Sequence, residues 1–153
     1  MNTHLHLAVD IELQRRNEQA VLLISFHREA LQDWCLGLCL LHTGLIGTLV
    51  ITGRRRNMMM KLHFGTNAKG DRVARATLRP DASEVELTHN GLDYLQQFFL
   101  KYYRDGVAEV DHLDLEAIDA VTGKKNIYVT FRVPNSTPPV SPEEAARRLH
   151  GEG

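Results

Sequence analysis

The sequence predicts an α+β fold: two ββαββ units forming mainly antiparallel sheet, with one helix packed on each unit. Three observations lead there. Eight short stretches read as strands, most plainly where apolar and polar residues alternate with period two, the mark of a half-buried strand. Two longer stretches carry apolar residues at helical spacing instead. The stretches come in the same order in two spans of similar length, about residues 4–65 and 72–133. Antiparallel hairpins on either side of each helix imply a helix lying on one face of a sheet. A pseudo-repeat of 4–65 and 72–133 is suggested at the level of topology, since the two spans share little residue identity.

Leu5, Leu7, Val9, Ile11 and Leu13 alternate with His4, His6, Ala8, Asp10 and Glu12, the cleanest strand in the chain. Arg15 to Glu18 turns it. Ala20 to Phe26 is nearly all apolar and reads as a central strand covered on both faces. Leu31, Trp34, Cys35, Leu38, Leu41 and His42 make a helix stripe, with Gly37 inside it and Gly44 ending it. Leu45 to Thr52 and Met58 to Phe64 read as strands around a basic turn. After the loop Thr66 to Asp71, Arg72 to Leu78 is a weaker strand, and Pro80 suits the turn that follows.

Val85 and Leu87 alternate with Glu84, Glu86 and Thr88. Asn90 is placed to cap the next helix by accepting from the N–H of Leu92 or Asp93. Leu92, Leu95, Phe99 and Tyr102, with Phe98 beside them, form its apolar stripe. Asp93 in the first turn and Lys101 and Arg104 in the last complement the helix dipole. Gly106 ends it. Tyr103 falls off the stripe and is a surface candidate. Leu113, Leu115 and Ala117 alternate with His112, Asp114 and Glu116, with a bulge or strand start near Asp111. Ile127, Val129, Phe131 and Val133 form the last strand. Residues 1–134 thus make one domain. Residues 135–153 are a Pro-rich tail with a short helix begun by Ser141, Pro142 and Glu144.

The 153 residues are 43% hydrophobic, enough for a core, and 18 basic against 19 acidic residues leave a net charge of −1. That balance argues against a general nucleic-acid or membrane-surface binder. Cys35 and Cys39 are four apart on a helix, where a disulfide would need unusual geometry, so two thiols are expected. The start MNTHLHLAVD has no basic region followed by an apolar run, and the apolar stretch Leu36 to Ile51 is too broken and short to span a bilayer. A cytoplasmic chain is the expectation. No GxSxG, Walker, GxGxxG or HExxH motif is present, so no catalytic residue and no cofactor is assigned.

Charge is segregated. Arg54 to Arg79 holds eight basic residues and one acid; Asp105 to Asp119 holds six acids and no Lys or Arg. The acidic run supplies the candidate partner-binding residues Glu109, Asp111, His112, Asp114, Glu116 and Asp119, suited to a basic protein. Arg54, Arg55, Arg56, Lys61 and Arg75 form a secondary basic patch. His4 with His6, and His112 with Asp114 and Glu116, share strand faces, but nothing in the pattern brings a full metal ligand set together, and no metal is assigned.

GLDYLQQFFLKYYRDG followed by AEVDHLDLEA, within residues 91–117, resembles the helix-to-strand segment of small bacterial immunity proteins of polymorphic toxin systems. The resemblance implies a single-domain protein that neutralises a toxin by binding it, and it carries over no catalytic residue. The alternative is a small metal-dependent enzyme or ligand binder of vicinal-oxygen-chelate-like architecture. A third reading is a nucleic-acid accessory protein using the Arg54–Arg79 stretch. A homodimer stays open.

Overall fold

The computed structural model describes residues 6–53, 58–64, 74–106 and 110–133. The elements in order are β1 (His6–Arg16), β2 (Gln19–Ser25), a 3-10 turn (Arg28–Ala30), α1 (Leu31–Thr43), β3 (Thr48–Gly53), β4 (Met59–Phe64), β5 (Ala74–Thr77), β6 (Ala82–Leu87), α2 (His89–Asp105), β7 (His112–Asp119) and β8 (Ile127–Arg132). The tail 135–153, and with it the expected short helix, lies outside the described residues.

The strands do not form a mainly antiparallel sheet with a helix packed on each unit. They close into a mixed barrel in the order β1-β2-β8-β7-β5-β6-β4-β3. Each hairpin is antiparallel, but the hairpins join one another through parallel pairs: β1 with β3, β4 with β6, β5 with β7 and β2 with β8. The physical reason is edge satisfaction. The outer strands of each half, β2 and β4 in the first and β6 and β8 in the second, would expose unpaired N–H and C=O groups, and pairing across the halves removes all four edges. The second half repeats the pairings of the first, strand for strand.

The pairings also place the helices. β1 and β2 are antiparallel and β1 and β3 parallel, so β2 ends and β3 begins at the same end of the barrel. The same holds for β6 and β7 through β5. Both helices therefore lie over one end of the barrel, and they pack on each other. They run antiparallel: His42 near the end of α1 bonds Gln96 of α2 (Nδ1 to Oε1, 2.7 Å), and Arg28 just before α1 donates to the Gly106 carbonyl after α2 (3.0 Å). Trp34 and Phe99 reach down to Phe26 and Phe131, with ring centroids 4.7 to 6.2 Å apart, so the helix pair seals the lumen with an aromatic cluster. One continuous core links this cluster to the inward side chains of the strands.

Local chemistry explains the elements, with two corrections. α1 and α2 end at Gly44 (φ 79°) and Gly106 (φ 77°), left-handed conformations that glycine adopts without a Cβ penalty. The cap of α2 is Thr88 rather than Asn90: Thr88 is extended, and its hydroxyl accepts from the Gly91 N–H (2.9 Å). With the helix starting at His89, Asp93 falls past the first turn and only Arg104 sits in the last. The second correction concerns β2. Leu22 and Ile24 are fully buried in the lumen, but Val21, Leu23 and Ser25 on its outer face are partly exposed, because the helices sit at the barrel end and not on the wall. Cys35 is buried, and Cys39 accepts from Gln96 Nε2 (3.1 Å); both are free thiols. Burial pushes the Cys35 thiol up to about 11. No helix among the described residues is long and apolar enough to cross a membrane.

Candidate functional site

β7 alternates cleanly. Leu113, Leu115 and Ala117 point into the lumen, and His112, Asp114 and Glu116 point out from the barrel wall. Pairing with β8 over His112–Ala117 and with β5 over Ala117–Asp119 sets the register, since a slip by one residue would turn three apolar side chains outward. The acidic presentation is thus fixed by the core behind it. Val110, exposed, and Asp111 precede the strand as bends. Glu109 lies outside the described residues.

The outward groups are held individually. His112 Nδ1 lies 2.7 Å from Asp111 Oδ1, and its Nε2 lies 3.6 Å from Asp114 Oδ2. Thr130 of β8 donates to Asp114 Oδ1 (2.6 Å), and Lys125 in the turn before β8 pairs with Glu116 Oε2 (3.1 Å). Arg132 stands opposite His112 in the β7–β8 register. These partners come from a hairpin whose alternation is plain in the sequence. They become visible once the register is known, as Thr130 and Asp114 are sixteen positions apart in the chain. Asp119, at the far end of β7, is used differently: its Oδ1 accepts from the Val121 N–H (2.9 Å) and shapes the turn. It lines a cleft of ≈ 270 Å³ with Arg15, Glu18, Leu78 and Asn126 at the hairpin end of the barrel.

The electrostatics follow from this geometry. The hydrogen bond to Asp111, then the Asp114 charge, raises the His112 pKa above the ordinary histidine value, against the smaller opposing effects of desolvation and Arg132. The same hydrogen bond holds the Asp111 carboxyl below the usual carboxylate range. A raised histidine pKa means that its contacts stabilise the fold fully below the unfolded pKa and stop doing so as pH rises through the folded value. The lowered Asp111 pKa works in the other sense: its contribution is present above the unfolded carboxylate pKa and is lost as pH falls through the folded one. Both groups are exposed, so the effect on stability is small and the effect on local charge is the larger one. The His112 ring protons should titrate in NMR with a midpoint above 6.5, and Asp111→Asn should lower that midpoint. A midpoint unchanged by Asp111→Asn would show that the pair does not form in solution.

The basic candidates are arranged otherwise. Lys61 of β4 stands opposite Glu84, and Arg75 of β5 stands opposite Glu86. His63 Nε2 also lies 3.8 Å from Glu84 Oε1. The described part of the basic stretch is therefore interleaved with the acids of β6, which could not be read from the linear charge run. Arg54, Arg55 and Arg56 lie outside the described residues, as does His4 of the two-histidine pair. Among the described residues no group of three or more His, Cys, Asp or Glu is placed to hold a metal ion. Tyr103 is half exposed and borders an open cleft with Arg28, Glu29 and Leu31 at the end of α2. No protein-family model matches the chain, and no curated protein matches it either.

Proposed function

We propose that this chain is a protein-binding module whose outer β7–β8 wall receives a basic partner. One observation carries the reading: Asp114 and Glu116 face out from β7 in register with β8, and Asp111 stands exposed immediately before the strand. Carboxylates set close together on one face raise one another's electrostatic energy, and an approaching cationic surface relieves it. Such a field steers encounter and raises the association rate most at low salt. The resemblance of residues 91–117 to immunity proteins fits the same use. On that reading the partner is a basic toxin domain, neutralised by direct binding in the cytoplasm.

The test is capture from the source cell, with bound protein identified by mass spectrometry. Wild type is run beside Asp114→Lys/Glu116→Lys. The double reversal should fold normally, because exposed charge changes usually alter stability by less than about 0.5 kcal/mol. A basic protein retained by wild type, released by salt and missed by the reversal is the expected result. Equal retention by both chains would remove this wall from the interface.

A further inference from the structure

The apolar outer face of β2 is the feature that the fold leaves unexplained. Ala20, Leu22, Ile24 and Phe26 are spent on the lumen, yet Val21 and Leu23 between them are also large and apolar and are partly exposed. The barrel register shows what surrounds them. Three rungs cross four strands: Gln14–Val21–Tyr128–Glu116, Glu12–Leu23–Thr130–Asp114 and Asp10–Ser25–Arg132–His112. On every rung the two outer positions belong to β1 and β7, and the two inner ones to β2 and β8. The centre of the wall is thus Val21, Leu23, Tyr128 and Thr130, and the acids Asp10, Glu12, Asp114 and Glu116 border it on both sides. The cationic groups on this wall are Arg132 on one end rung, Arg16 opposite Gln19 one rung beyond Gln14 at the other end, Lys125 paired with Glu116, and the histidines: His27, 3.2 Å from Asp10, and His112.

We infer that this four-strand wall is one docking surface, with an apolar centre on β2 and β8 and an acidic rim supplied by both halves of the chain. It rests on the acidic-wall reading above and adds where the affinity lies. Interfaces are commonly built this way, with a desolvated apolar centre, often holding a tyrosine, inside a polar rim. The charge pattern selects the occupant: a protein segment whose apolar stripe is flanked by Lys and Arg. A second copy of this chain would set acid against acid. Shape agrees with a basic occupant. The wall of a barrel is convex, so β1 and β7 fall away on either side of the centre. Apolar groups of the partner rest on Leu23 and Tyr128, and only side chains as long as Lys or Arg reach the acids below.

Two peptides of equal length and charge serve as probes. One carries leucines at helical spacing flanked by lysines; in the other every leucine is serine. Each is titrated into the full-length, isotope-labelled chain and followed by NMR. Both should shift β7 amides. The leucine peptide should bind at least tenfold more tightly and also shift Val21, Leu23 and Tyr128. Leu23→Ser/Tyr128→Ser should abolish the difference without weakening the serine peptide, which shows that the variant is folded. Equal affinity of the two peptides for wild type would overturn the apolar centre and leave the acidic reading standing. Binding of neither would overturn both. Self-association removed by Leu23→Ser would assign the wall to a second copy and overturn the basic occupant.

Discussion

Phe99→Ala should destabilise the chain by about 3–5 kcal/mol, read by urea unfolding. The side chain is fully buried. It packs edge-on against Phe26, Trp34, Phe98 and Phe131, which belong to four different parts of the chain. Truncation removes the one ring that touches all of them, and the rigid barrel mouth cannot collapse around the gap. A domain of this size has about 5–15 kcal/mol in total, so the loss is a large share. Leu95→Ala, one turn earlier on the same stripe, should cost about 2–5 kcal/mol. A loss under about 1 kcal/mol at either position would mean that α2 presents another face to the barrel.

Leu22→Asp has the largest expected effect. Leu22 stands opposite Leu13 on one side and Val129 on the other, inside a closed lumen, with no exposure. A carboxylate there is flanked by apolar side chains on both neighbouring strands and must either stay charged at great cost or take up a proton. A loss beyond about 4–5 kcal/mol follows, enough to leave much of the protein unfolded at neutral pH. Leu23→Ser, one residue on, should cost about 1 kcal/mol or less, since that side chain faces out. Circular dichroism and thermal melts of the two variants read the difference directly. Similar losses at both positions would show that β2 is covered on its two faces.

The contrast between these neighbours also shows what a sequence can carry. Inward and outward positions along β7 and β8 are legible because alternation is local: Leu113 and Asp114 need only each other to be told apart. Gly44 and Gly106 are legible as helix ends for the same reason. Closure is not. A period of two is common to antiparallel, parallel and mixed sheets, so it does not say that Leu23 will stand beside Thr130, more than a hundred positions away. With β2 read as covered on both faces, Val21 and Leu23 needed no further explanation. The barrel withdraws that cover and makes them conspicuous. The Thr88 cap is not legible because Thr88 and Asn90 are both good caps, and the extended backbone at Thr88 decides between them. Of the candidate surface, the β7 acids could be read directly. Asp10 and Glu12, its other border, could not, as they reach the same wall only through the parallel β2–β8 pair.

That pair can be observed directly by native-state hydrogen exchange of β2. Successive amides of a strand point to opposite neighbours. The amides of Ala20 and Phe26 reach the Asn126 and Arg132 carbonyls on the β8 side, so those of Leu22 and Ile24 point to β8 and those of Val21 and Leu23 point to β1. A closed barrel protects both sets alike, with Leu22 and Ile24 among the slowest amides in the chain. Fast exchange at Leu22 and Ile24 beside slow exchange at Val21 and Leu23 would reveal β2 as an open edge, and the wall shared by the two halves would not exist.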